Sequence, residues 1–222
     1  MAGGTDGNII SYDSNGDPVA VATGNDGQVL TSAGAGSPPA FEDASGGGGF
    51  TEGTEVTPTS GQSAAFTSIP SGTKVIFVTW SGVSFGDYSY LKIQLGDSGG
   101  LESSGYVGTT ISIYGGTITQ GVPASGRTTS STYFIMGGSN GSYGMAASVS
   151  LHGMATLTLE DSTNNTWGFT SMMTGDGVDM DWGAGSKSLS GELTQIAVQS
   201  GAVGSEASSQ FDAGNINILY SG

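Results

Sequence analysis

Gly96-Asp97-Ser98-Gly99-Gly100 places a serine between an acid and two glycines, the setting of an activated hydroxyl nucleophile. Such a serine needs a base to take its proton, and the only imidazole in the chain is His152. The two common chain orders both fail. His–Asp–Ser requires the histidine before Ser98, and Ser–Asp–His requires an aspartate between them, where Glu102 is the only acid. Gly137-Gly138-Ser139-Asn140-Gly141 matches the same G-x-S-x-G pattern with no acid before His152. With 41 glycines in the chain, such matches arise by chance and read as turns. No catalytic residue, and no enzyme, is expected.

Metal chemistry is narrowed in the same way. There are no cysteines, so thiolate sites and disulfides are excluded, and one histidine cannot make a transition-metal site alone. His152 shares strand parity with Ser148, Ser150 and Thr156, which places it on a solvated face. Hard cations need oxygen ligands, and Asp176, Asp179 and Asp181 crowd what reads as a loop beside Trp182. That group is either a calcium site or a plain acidic turn. Asp13, Asn15 and Asp17 alternate too, but lack the glycine and the bidentate glutamate of an EF-hand loop. No cofactor is expected. A pair of carboxylates acting on a glycosidic bond stays open as a minor alternative.

A third chemistry is contact through aromatic rings. Tyr106, Tyr114 and Tyr133 lie in residues 98–140, a stretch of Gly and Ser that reads as long loops projecting outward. Rings on loops suit sugar stacking or protein contact, and they equally cap a core.

The elements that would carry these groups are strands. Lys74 to Trp80 (KVIFVTW) reads as a strand buried on both faces. Leu91, Ile93 and Leu95 alternate with Lys92 and Gln94, and Ala155, Leu157 and Leu159 alternate with Thr156, Thr158 and Glu160. Trp167 with Phe169, Ile196 with Val198, and Ile216, Ile218 and Tyr220 mark further strands. Helical periodicity is absent. The expected fold class is all-β: an extended N-terminal arm (residues 1–45), a glycine hinge (residues 46–49) and an antiparallel, jelly-roll-like β-sandwich (residues 50–222).

The formal net charge of −15, with Lys74, Lys92, Arg127 and Lys187 as the only Lys and Arg, argues against nucleic acid and anionic lipid as partners. No run approaches the length of a membrane span, and Met1 to Asp6 has neither the basic region nor the apolar run of a secretory signal. The expectation is synthesis in a cytoplasm without membrane insertion.

The arm carries Asp6, Asp13, Asp17, Asp26, Glu42 and Asp43 and no Lys or Arg. Its apolar residues, Ile9, Ile10, Val29, Leu30 and Phe41 among them, are too few for a core of their own. They call for copies of the same segment or for a partner's surface. The stretch GNDGQVLTSAGAGSPPAFED (from Gly24) resembles an element of trimeric tail-fibre and other appendage proteins of tailed bacteriophages, and NIISYDSNGD (from Asn8) resembles its lead-in. Ile69-Pro70-Ser71-Gly72-Thr73-Lys74, Leu95 to Gly100, Gly105-Tyr106 and Phe211 to Tyr220 resemble a C-terminal β-domain of phage structural proteins. The resemblance implies a homotrimeric structural protein at the virion surface. Its arm (Ile9, Ile10, Val29, Leu30, Phe41) would be anchored in another virion protein, either a tail adaptor or the major capsid protein. A short tail fibre or receptor-binding appendage would turn Tyr106, Tyr114 and Tyr133 toward the host surface, where a glycan is a candidate partner. A capsid decoration protein (cement or head fibre) is the alternative.

Overall fold

Glycine and the turn-forming Asx residues divide the chain into short extended runs, and the structure is built from these. The computed structural model describes residues 6–43, 49–114, 127–128, 130–137, 145–147, 149–175, 179–201 and 210–221. Every regular element among them is a strand. The chain divides between Gly49 and Phe50 into two units. Most of the expected glycine hinge lies outside the described residues.

The first unit holds two hairpins. Strand β1 (Ile9–Tyr12) pairs with β2 (Pro18–Val21), and β3 (Gln28–Thr31) with β4 (Ala40–Asp43). The arm is extended in backbone conformation but doubles back twice. The first reversal is held by the Asp13 carboxylate, which accepts the N–H groups of Asn15 and Asp17 at 2.8 and 2.9 Å. Gly16 then takes the left-handed conformation (φ 84°) that closes the turn. The alternating Asp13, Asn15 and Asp17 thus serve a turn.

In the second unit the chain runs through β5 (Thr51–Glu52), β6 (Ser63–Phe66), β7 (Val75–Phe85), β8 (Tyr90–Asp97), β9 (Gly100–Leu101) and β10 (Val107–Tyr114). It continues through β11 (Arg127–Thr128), β12 (Phe134–Gly137), β13 (Leu151–Asp161), β14 (Thr166–Gly175), β15 (Asp179–Ser188), β16 (Gln195–Gly201) and β17 (Phe211–Ser221). One sheet has the order β11-β10-β15-β14-β13-β7-β17-β5, and the other β12-β8-β16-β6 with β9 beside β8. All pairings are antiparallel. The chain passes repeatedly from one sheet to the other, in the jelly-roll manner, and β13–β14–β15 adds a meander within the larger sheet.

The two sheets enclose the core. Ile76, Val78 and Trp80 of β7, Ala155 and Leu157 of β13, and Trp167 and Phe169 of β14 face Leu91, Ile93 and Leu95 of β8 and Ile196 and Val198 of β16. Two readings of the sequence are corrected. KVIFVTW is not buried on both faces: Val75, Phe77 and Thr79 are half-exposed, since the outer face of its sheet is open, and Phe77 is met there by the Phe50 ring at 5.2 Å. Residues 98–140 are not all loop, because β9, β10 and β12 run within them.

The tightest part of the sandwich is β12. Phe134 stacks parallel on Phe169 at 4.4 Å and meets Tyr106 edge-on at 4.8 Å. Phe134→Ala should therefore destabilise the protein by about 3–5 kcal/mol, read as a lower urea midpoint with an unchanged slope.

Candidate functional site

The arm residues singled out from sequence are brought onto two hairpins. Ile9 and Ile10 are successive residues of β1, so their side chains leave opposite faces, and both are exposed (39% and 53%). Val29 and Leu30 of β3 behave alike, at 44% and 45%. Phe41 is directly opposite Leu30 and half-buried. Its ring lies over Gly24, where an added Cβ would come within 2.6 Å of it, so that position is confined to glycine. Among the described residues of the first unit only Val21, of the large apolar side chains, is buried. The hairpins hold their backbone order through their own ladders and through Gln28–Asp43 and Thr31–Glu42 hydrogen bonds, at 3.0 and 2.7 Å. Ile9, Ile10, Val29 and Leu30, on both faces of their strands, remain uncovered.

Of the metal candidates, Asp179 and Asp181 stand on strand β15 and not on a loop. Asp176 lies outside the described residues, as does the side chain of Asp179. Asp181 is in β15 and fully buried, because its parity turns it inward while Met180 and Trp182 face outward. Among the described residues no group of three His, Asp or Glu is placed to hold a metal ion. Several other carboxylates serve turns. Asp97 accepts from Ser190 Oγ (2.6 Å) and the Gly99 N–H (2.7 Å), which hold its carboxyl below the usual range. Asp161 is held low by the Asn164 amide and the Thr163 N–H in the β13–β14 turn. Glu192 is held low by the Gly72 N–H and Ser71.

The serine motif is a hairpin turn. Asp97 pairs with Gly100 across β8 and β9, leaving Ser98 and Gly99 as the two residues of the reversal. His152 lies on the outer face of the larger sheet, where its Nδ1 takes the Gly82 N–H at 3.2 Å. A cleft of about 410 Å³ between β17 and β6 is lined by Val56, Phe66, Ile69, Ile218, Glu52 and Tyr220 among others. The Glu52 carboxylate there is engaged by the Asn217 amide at 3.0 Å.

Tyr106 is corrected from an outward contact to a core residue. It is 3% exposed, and its hydroxyl accepts the Leu95 N–H at 2.8 Å and donates to the Glu102 carbonyl at 3.1 Å. Burial pushes this phenol up to about 12. Tyr133 is half-buried, bonded to the Tyr90 hydroxyl and lying under the Lys92 ammonium at 4.7 Å. Burial lowers the Lys92 pKa below its usual value. The backbone of Tyr114 ends β10 opposite Asp179, and its side chain lies outside the described residues.

Sequence reasoning missed a surface. Ile111, Trp182, Met172 and Met154 are directly opposite one another across β10, β15, β14 and β13, so they form one outward row. All four are exposed. The available signal was apolar residues at the polar parity of these strands: Met154 sits in phase with Thr156 and Thr158, and Met172 with Thr170 and Thr174.

No protein-family model matches the chain, and no curated protein matches it either. No helix among the described residues is long and apolar enough to cross a membrane.

One buried ion pair fastens the Tyr106 corner. Lys187, almost wholly buried, binds the Glu102 carboxylate, which also accepts the Ser190 N–H at 2.7 Å. Burial pushes the Glu102 carboxyl up, but the Lys187 ammonium and the Ser190 N–H outweigh it and hold it below its ordinary 4.5. A depressed folded-state pKa contributes stability that is present above the ordinary value and lost as pH falls through the folded one. The thermal midpoint should therefore fall on acidification below 4.5. Glu102→Gln should lower it at neutral pH, by about 1.5–3 kcal/mol of stability, and flatten the acid dependence.

Proposed function

We propose that this chain is a non-enzymatic structural protein of a tailed-bacteriophage particle, a homotrimeric appendage on the virion surface anchored by its N-terminal arm. The carrying observation is the pair of hairpins whose apolar residues are exposed on both faces. An isolated two-stranded hairpin is marginal in water, so β1–β2 and β3–β4 gain their stability from what covers them. Copies of the same arm, with the docking surface of another virion protein, supply that cover. The resemblance of GNDGQVLTSAGAGSPPAFED to trimeric appendage segments supports the same reading.

In this reading the sandwich is the contact module and the short-tail-fibre or receptor-binding type is the preferred assignment. With Tyr106 withdrawn into the core, Tyr133 is the remaining described member of the three tyrosines, and its half-buried ring beside Lys92 offers an aromatic face and a cation. A capsid decoration protein uses the same arm to grip the major capsid protein. Copy number separates the two: a few dozen copies per particle or fewer mean a tail appendage, and hundreds mean decoration.

Leu30→Asp and Phe41→Asp, each placing a carboxylate on the β3–β4 hairpin, should abolish incorporation of the protein into particles while leaving its β-sheet circular dichroism unchanged. Burial of each apolar side chain contributes on the order of 1.5–3 kcal/mol, which a carboxylate forfeits. Quantitative mass spectrometry of purified virions reads both incorporation and copy number. Normal incorporation of these variants would falsify the anchoring role of the arm.

A further inference from the structure

The larger sheet has its chemistry inside out at one end. In β15 the inward positions are Asp181, Gly183, Gly185 and Lys187, and the outward ones are Met180, Trp182 and Ala184. In β10 Thr110 points inward and Val107 and Ile111 outward. In β14 Ser171 points inward and Met172 outward. A strand with one face in the core and one in water shows the opposite pattern. The outward row Ile111–Trp182–Met172–Met154 continues through Thr79 and Asn217, and the next row runs Thr109–Ala184–Thr170–Thr156–Phe77–Leu219. Neither row carries a charge, in a chain of net charge −15. The carboxylates of this sheet face lie at its margins, Glu160, Glu52 and Asp212 among them.

We infer that this face is where a second copy of the chain packs. The inference rests on the reading of the chain as self-associating, but on residues other than those of the arm. Charge decides the occupant. Copies carrying −15 repel wherever acids meet, and this face lets two of them approach without opposing carboxylates. A basic partner would be drawn to the acidic surfaces and gain nothing from these rows. The size is adequate. From β10 to β17 the sheet spans about 25 Å at roughly 4.8 Å per strand, and the outward positions from Met180 to Ser186 of β15, which include both rows, run about 20 Å along it. That is on the order of 500 Å² in plan, more with side-chain relief, against about 800 Å² per partner in a standard interface. Thr79, Thr109, Thr156, Thr170 and Asn217 make part of the face polar, and the exposed Ile111, Trp182, Met172 and Met154 grouped within it are the kind of patch that marks an interaction surface.

The test uses the full-length protein and its own tryptophans. Trp80 and Trp167 are buried, while Trp182 is 36% exposed, so acrylamide quenching reports on Trp182; Trp182→Phe assigns the signal. In the wild type, light scattering should give an oligomer whose Trp182 is shielded, with quenching rising as dilution lowers the mass. Met172→Glu, at a 44% exposed position that a monomer tolerates, should keep the circular dichroism and thermal midpoint. It should weaken association by more than about tenfold and leave Trp182 quenchable at every concentration. An oligomer that Met172→Glu leaves intact, or one in which Trp182 stays fully quenchable, overturns the inference. If Leu30→Asp then dissociates that oligomer, association runs through the arm alone and the proposed function survives without this face. A wild-type chain that stays monomeric overturns both.

Discussion

The sandwich depends on how closely β12 approaches the larger sheet. Two facing sheets ordinarily keep about 10 Å between them, filled by side chains from both. At β12 the gap is bridged by hydrogen bonds: Thr110 Oγ1 donates to the Ile135 carbonyl at 2.6 Å and Ser171 Oγ to the Met136 carbonyl at 2.9 Å. Side chains that short reach a backbone only if nothing bulky stands beside them, and glycine clears the space. An added Cβ on Gly183 would lie 2.5 Å from Ser171 Oγ and 3.1 Å from the Ile135 carbonyl, and one on Gly185 would meet the Phe134 ring at 2.8 Å. Small and polar residues beneath β12 are thus a requirement of packing. They let Phe134 stack on Phe169 and let the buried Lys187 reach Glu102 at the Tyr106 corner.

That requirement propagates to the outer surface through the strand period of two. Once Thr110, Ser171, Asp181 and Gly183 are committed inward, their neighbours Ile111, Met172 and Trp182 must point outward. The apolar row and the polar interior are one register seen from two sides, and a slip of a single residue would exchange them. Nothing inside the sandwich can shelter the row. The hairpins of the arm pose the same problem more acutely, since there both faces of β1 and β3 carry exposed apolar side chains.

Much of the fold was legible in the sequence because most strands alternate in the ordinary sense. Leu91–Ile93–Leu95, Ala155–Leu157, Trp167–Phe169 and Ile196–Val198 each put their apolar phase into the core, and Asp161 to Asn165 makes the turn its composition announces. Legibility ended where β12 imposes its own demands. β10 and β15 carry Gly, Thr and Ser inward, so the stretch around Tyr106 looked like loop and Asp179–Asp181 like an acidic turn. Tyr106 was legible as an aromatic and illegible as a corner, because its hydroxyl partners at Leu95 and Glu102 come from strand pairing across the β8–β9 reversal. The exposure of the arm's apolar residues could be foreseen, since their number alone is too small for a core, whereas the folding of that arm into hairpins rested on turn chemistry at Asp13 and Gly16.

The placement of acid ties these features to association. Asp13, Asp97, Asp161 and Glu192 sit at reversals, where side-chain donors (Ser190 to Asp97, Asn164 to Asp161) and backbone N–H groups hold their carboxyls below the usual range. Repulsion between copies is weak across the uncharged rows of the larger sheet, where Thr, Met and Trp meet solvent. A cysteine-free chain with so few cations has neither disulfides nor networks of ion pairs to strengthen it. Assembly through uncharged sheet surface, as proposed, would supply that stability. On the proposed reading, the arm and the face do different work: the arm's acids and bare apolar residues favour a docked, sheltered seat, while the face favours a copy that brings no charge to it.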